Sequence, residues 1–200
     1  MRTETQADAR RGFATGEFVV LRPALESDLP ELTKLLAANP ADLEPEPWTI
    51  QRITKEFNDA DGDIPGLWGK EQRYFTIAIS DGTVVGFLKE KRGDDGRSCW
   101  NRLYIGEHIP NRTDLCADAA KTYLAYKCKW HNPTRIAFDA LELEVSLTQG
   151  LELAGFELEM AMDQLLLYQG KPATYCCYAW LSEEVLRLWL DDGPVAGEGE

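Results

Sequence analysis

The sequence predicts one α/β domain in which helices cover a sheet. Strand-like and helix-like segments alternate along the chain in the order β-αα-βββ-α-β-α-ββ-α, a mixed pattern that packs as helix layers on a sheet. Asp81-Gly82 and Gln169-Gly170-Lys171 fall between β-prone runs, where hairpin turns belong. No segment repeats and no linker interrupts the series, and 200 residues fit one domain. We expect a loose segment over residues 1–16, a folded domain over 17–190 and an acidic disordered tail over 191–200.

Each element has its own signal. Glu17 to Arg22 is β-prone and stops at Pro23. Ser27 opens a helix with Asp28 and Pro30 in its first turn. Leu29, Leu32, Leu35 and Leu36 then repeat at helical steps until Asn39-Pro40. Thr49 caps a second short helix that places Ile50, Ile53 and Phe57 on one face. Strands are expected at Tyr74–Ile79, Val84–Glu90 and about Cys99–Ile109, with Pro110 closing the last. A helix follows over about Leu115–Trp130, with Ala120, Tyr123, Leu124 and Cys128 on one face, and Asn132-Pro133 ends it. Arg135–Leu141 is a strand, Leu147–Leu153 a short helix stopped by Gly155, and Leu158–Tyr168 with Tyr175–Leu181 a final hairpin. Ser182 caps a last amphipathic helix carrying Val185, Leu186 and Trp189.

A net charge of −13 and a pI near 4.6 argue against binding a phosphate backbone, which needs a basic footprint. They suit a basic acceptor such as an amine. The last ten residues carry four acids and no base. Cys99, Cys116, Cys128, Cys176 and Cys177 show no CxxC and no zinc-like spacing, so reduced thiols and no metal are expected. Cys176 and Cys177 would point to opposite faces of one strand. No apolar run reaches the ~20 residues of a membrane span, and no signal peptide is apparent, so a cytoplasmic protein that binds neither membrane nor nucleic acid is expected.

Four segments, in order, resemble the Gcn5-related N-acetyltransferases (GNAT), in the branch of the ribosomal-protein alanine N-acetyltransferases. They are Phe18–Leu36, Ser80–Leu88, Tyr104–Pro110 and Arg135–Leu181, the last with its Arg135-Ile136, Gly155-Phe156 and Gly170-Lys171 pairs at the family's spacing. The resemblance implies a mixed, mostly antiparallel sheet flanked by helices. In it the strand at Tyr104–Ile109 splays from that at Arg135–Leu141, parting after residue 104. An acetyl-CoA or other acyl-CoA, or a carrier-protein thioester, would lie in the gap. Its pyrophosphate would sit where backbone N–H groups converge at a helix N-terminus. The donor would then touch Ile109, Asn111, Arg112, Leu115, Ala117, Asp118 and Glu144, with a backbone N–H near Ile109 polarising the thioester carbonyl.

The chain departs from the family signature at these positions. Residues 111–119 contain no glycine. Either Arg112 takes the signature's first place, with Leu115 for the central glycine and Ala117 last, or Asp114 does and inverts the charge. The usual tyrosine falls on Leu151 and the usual asparagine on Glu144.

Acyl transfer to an amine needs a base. Glu107 and His108 are candidates, sent to opposite faces if the strand runs through them. Trp48, Tyr74, Trp100 and Tyr175, with Trp68 beside them, are candidates to line an acceptor pocket, though aromatics at such positions often serve the core. Glu44 and Glu46 would attract a cation or form a solvated acidic loop. Cys116 at a helix start would have a lowered pKa; His131 reads as a helix C-terminal cation. The reading is an N-acyltransferase for a small-molecule or peptide amine, monomeric or homodimeric, in which an acyl carrier protein is a possible donor partner. A GNAT-fold binding protein without catalysis is the alternative.

Overall fold

A computed structural model describes residues 14–38, 49–52, 54–55, 72–93, 95–168 and 171–191. Among the described residues eight strands form one sheet: β1 (Ala14–Thr15), β2 (Val19–Pro23), β3 (Gln72–Ile79), β4 (Val84–Arg92), β5 (Ser98–Ile105), β6 (Arg135–Leu141), β7 (Glu157–Tyr168) and β8 (Lys171–Leu181). Their spatial order is β1-β2-β3-β4-β5-β6-β8-β7. All neighbours are antiparallel except β5 and β6, which run parallel. A parallel pair needs a crossover, and helix α2 (Arg112–His131) supplies it. Helix α1 (Leu29–Ala38) lies between β2 and β3, α3 (Val145–Leu153) joins β6 to β7, and α4 (Glu183–Asp191) follows β8.

The two faces of the sheet carry separate layers. Leu115, Ala119, Ala120 and Tyr123 of α2 and Leu147 and Leu151 of α3 share one core with Leu21, Ile77, Leu103, Ile136, Phe138 and Tyr178. Leu29 and Leu32 of α1 pack instead on Tyr74, Phe87 and Tyr104. Leu103 and Tyr104 are adjacent, so strand alternation puts these layers on opposite faces. The helices α2 and α3 touch closely because Gly150 has no side chain: a Cβ there would stand 2.6 Å from Cys116 Cβ and 2.9 Å from the Thr113 carbonyl oxygen.

Local signals explain most element ends. Gly82 (φ 87°) turns β3 into β4, with Thr83 N–H donating to Asp81 Oδ1 at 2.8 Å. Gly155 (φ 87°) stops α3, and Phe156 N–H donates to the Leu151 carbonyl at 3.0 Å, the six-to-one bond of a Schellman end. Thr49 Oγ1 accepts from Arg52 N–H at 3.2 Å and Ser182 Oγ from Val185 N–H at 3.5 Å, both as N-caps. Ile53 and Phe57 lie outside the described residues, as do the turn 169–170 and residues 192–200.

Three elements differ from expectation. Ser27 does not cap α1; it lies inside a 3-10 turn over Glu26–Asp28 that leads into α1, and Asp28 closes that turn by accepting from Leu25 N–H at 2.9 Å. Ala14 and Thr15 pair with β2 inside the segment expected to be loose. On α2, the exposed Cys128 is replaced on the buried face by Lys127, whose Nζ lies 3.2 Å from Glu90, a carboxylate that also accepts from the Tyr123 hydroxyl. Pairing satisfies a charge that water cannot reach. Cys176 and Cys177 do face opposite ways, into different clusters, and all five thiols are free. Among the described residues no helix is long and apolar enough to cross a membrane.

Candidate functional site

The sheet opens at the parallel pair. β5 and β6 are in register only from Ser98↔Arg135 to Asn101↔Phe138. The parting therefore begins after Asn101, three residues earlier than the sequence suggests. Arg102 explains why. Its Nη1 donates to the Asp139 carbonyl at 2.6 Å, so a side chain occupies the acceptor that a β5 amide would otherwise use. Its Nη2 stands 2.7 Å from the Glu144 carboxylate. The two side chains are only 8% and 7% exposed. Burial acts against the guanidinium charge, but Glu144 outweighs it and the pKa is raised. Glu144 also accepts from Leu141 N–H at 2.8 Å, fixing the end of β6. The fork is thus real, and one buried ion pair bridges its base.

Beyond the fork, the strand expected to reach Ile109 ends at Ile105. Gly106 N–H donates to the Val85 carbonyl at 2.9 Å and Ile109 N–H to the Gly106 carbonyl at 3.1 Å, closing a turn. Pro110 has no N–H to continue a ladder, Asn111 takes φ 56°, and α2 begins at Arg112. Two expectations change as a result. Glu107 and His108 sit exposed in a turn, not on opposite faces of a strand. The Ile109 N–H is already used within that turn, so it does not polarise a thioester carbonyl. Residues 112–119 are helix and form no loop.

A cavity of about 170 Å³ opens here, lined by Glu107, Arg112, Leu143, Glu144, Val145, Ser146 and Tyr168. It gathers three of the expected residues, Glu107, Arg112 and Glu144, and adds Ser146 and Tyr168. The N-termini of α2 and α3 both border it, and neither Asn111 nor Glu144 caps its helix with a side-chain bond. Arg112 Nε is buried with no hydrogen-bond partner among the described residues. The Tyr168 hydroxyl is pushed up in pKa by burial and then by the carboxylates of Glu107 and Glu144. Glu144 is already neutralised by Arg102, so Glu107 and Arg112 are the opposite charges left on the lining. A lining without net charge that carries Ser146 and Tyr168 suits an uncharged hydrogen-bonding arm.

The remaining donor-side candidates lie elsewhere. Leu115 and Ala117 are buried in the helix interface. Asp118 accepts from the N–H groups of Glu17, Phe18 and Val19 at 3.0, 2.7 and 2.8 Å and so braces the start of β2. Asn111 is exposed. Cys116 is 1% exposed and burial pushes its thiol up to about 12, the opposite of an activated nucleophile. Leu151 is fully buried. His131 Nε2 lies 3.3 Å from the Tyr126 hydroxyl in the last turn of α2.

On the sheet face that holds Tyr104, the fork adjoins a shallow platform. Trp100 is 41% exposed there, and the Arg135 guanidinium lies 5.1 Å from its ring centre. Arg135 is paired with Glu159. The Tyr175 hydroxyl donates to Asp139 Oδ1 at 2.5 Å; burial and then that carboxylate raise its pKa. Ala137, Cys177 and Ala179 form the floor. Tyr74 belongs to the α1 layer and does not reach this surface. Trp48, Trp68, Glu44 and Glu46 lie outside the described residues. Among the described residues no three potential metal ligands converge.

Solved structures with this architecture include a spermidine N-acetyltransferase from Vibrio cholerae in complex with CoA and spermine, at TM-score 0.70 and 16% identity over 84% of this chain and 98% of that one. An acetyltransferase of the GNAT family from Bacillus anthracis matches at 0.67 and 13% over 84% and 97%. RimL, a ribosomal L7/L12 alpha-N-protein acetyltransferase in complex with coenzyme A, matches at 0.67 and 15% over 82% and 94%. The fold is the GNAT fold. No family model matches the sequence, and no curated protein does.

Within the GNAT fold, sequence reasoning passed over Arg102, Asp139, Ser146 and Tyr168. For the first two a signal existed. Both are charges inside largely buried strands, and such residues need a partner. For Tyr168 there was none, because its place in the cavity depends on how the β7–β8 hairpin curls.

Proposed function

We propose that the protein is an N-acyltransferase of the GNAT type that moves an acyl group from a thioester to an amine. The observation that carries this reading is the fork: β5 and β6 stop pairing at Asn101 and Phe138 and leave two facing edges beside a polar cavity. Neighbours of the same fold solved with coenzyme A support it.

The donor supplies an activated acyl carbonyl. The lining is suited to its uncharged arm, with the Ser146 hydroxyl and the N–H groups of Val145 and Ser146, which precede the first helical bonds at Leu147 and Thr148, as hydrogen-bonding partners. Arg112, with its unused buried Nε, is the residue to meet a phosphate at the rim. Tyr168, whose pKa is raised by burial and then by Glu107 and Glu144, borders the cavity and would give a proton to a leaving thiolate, the task that Leu151 cannot perform. Because Arg112 is the one cation on the lining among the described residues, donor recognition rests on the arm more than on the nucleotide. Acetyl-CoA and S-acetylpantetheine should then bind within about tenfold of each other, a difference of about 1.4 kcal/mol. Calorimetric titration of both tests this. A protein that binds neither these nor longer acyl-CoAs overturns the reading.

A second reading has its own observation. The Arg102–Glu144 bridge closes the base of the fork with a carboxylate that is already committed. A GNAT-fold protein that binds a ligand without chemistry would show thioester binding and no acyl transfer to any amine.

A further inference from the structure

We infer that Asp139, held by Tyr175, is the site that binds the amine cation. As a catalytic assignment this rests on the acyltransferase reading; as a binding site it stands alone.

Position is the first argument. Asp139 follows Phe138, the last β6 residue paired with β5, so it is the first residue of the open fork on that strand. Its side chain shares a face with those of Ala137 and Leu141, opposite Phe138 and Ala140, and therefore faces the platform. Arg102 grips its carbonyl oxygen and Tyr175 its Oδ1, so backbone and carboxylate are both fixed before any ligand arrives.

Charge is the second argument. Among the described residues four carboxylates stand near the fork: Asp139, Glu144, Glu159 and Glu107, the last exposed in the turn after β5. Glu144 is paired with Arg102 and Glu159 with Arg135. Asp139 has no cation within ion-pair distance among the described residues, and its Oδ2 makes no hydrogen bond there; its one bond is from neutral Tyr175. The side chain is half-buried and reachable. A fixed, partly desolvated carboxylate with a free oxygen attracts an ammonium group more strongly than a fully solvated one does.

The surroundings define the body of the ligand. Met160 and Met162 of β7 pair in register with Cys177 and Tyr175, which puts them on the same face, 38% and 40% exposed. Trp100 bounds the other side. An amine carried on an apolar body fits this arrangement.

In the reaction, the ammonium gives one proton to Asp139. The freed nitrogen lone pair forms the N–C bond, and the C–S bond breaks with its electrons on sulfur. The second nitrogen proton ends on the thiol, and Asp139 later returns its proton to water. Glu107 lines the donor cavity and His108 folds back toward Gly106, so neither occupies the position that Asp139 holds at the fork.

Calorimetry with benzylamine, and with benzyl alcohol as its uncharged counterpart, tests the site. We expect the amine to bind and the alcohol not to. Asp139→Asn should weaken benzylamine at least tenfold and leave acetyl-CoA affinity unchanged, with the urea midpoint confirming a folded variant; Asp139→Glu should keep most of the binding. Equal binding of amine and alcohol, no benzylamine binding by the wild type, or unchanged affinity in Asp139→Asn each overturns the proposal. If the amine results hold while no thioester binds, the acyltransferase reading fails and the amine site remains.

Discussion

Replacing Glu144 by Gln should destabilise the protein by about 3 kcal/mol, a typical cost of removing one partner of a buried pair. The figure follows from the geometry. Arg102 and Glu144 are both nearly inaccessible, so solvent cannot take over from the lost partner. Gln still offers an amide oxygen to the donating Leu141 N–H, so the substitution isolates the charge. Arg102→Met, similar in length, should cost a like amount by leaving the Glu144 charge and the Asp139 carbonyl without the guanidinium. The double variant removes both charges and should cost at least about 2 kcal/mol less than the two singles added, since coupled neighbours are not additive. Urea unfolding of the four proteins measures this coupling. A coupling below about 1 kcal/mol, the value for an exposed pair, would refute the claim that a desolvated ion pair holds the fork's base.

Other consequences are simpler. Asp118→Ala strips the acceptor from three N–H groups and should cost about 1–2 kcal/mol, with no change in acetyl-CoA affinity because the residue faces β2. Asp28 has its pKa lowered below 3.8: burial opposes this, but bonds from Arg22, Leu25 and Thr76 prevail. Its stabilising contribution is therefore complete above the unfolded value and lost as pH falls through the lower folded one. The urea midpoint of Asp28→Asn should accordingly fall less between pH 5 and pH 2 than that of the wild type. Iodoacetamide at pH 8 should label the native protein at Cys128 alone, since the other four thiols are buried; a second fast label would contradict the core packing. Gly150→Ala gains about 1 kcal/mol of helix propensity but meets Cys116 Cβ at 2.6 Å. Overpacking of about 1–3 kcal/mol should make the net effect destabilising in chemical unfolding.

Much of the fold was legible because its signals are local. Asp81-Gly82, Gly155-Phe156 and Ser182 each determine a turn or an end within a few residues, and the leucines of α1 declare its buried side. The site was harder. The run Tyr104–Pro110 looks like strand to its end, yet Gly106 and the left-handed Asn111 fold it into a turn and carry Glu107 and His108 out of the sheet. Arg102 meets Glu144 42 residues away and Tyr175 meets Asp139 36 away. Partnerships of that range depend on the β5–β6–β8 register, which no local pattern encodes. Asp118 fell inside the motif expected to cradle phosphate but serves a strand 100 residues back.

Amide hydrogen exchange at saturating S-acetylpantetheine or acetyl-CoA tests the fork most directly. Slowed exchange confined to 102–105, 139–141 and the first turn of α3 is the predicted result. Exchange unchanged at those amides, with a thioester demonstrably bound, would place the donor elsewhere and contradict the account.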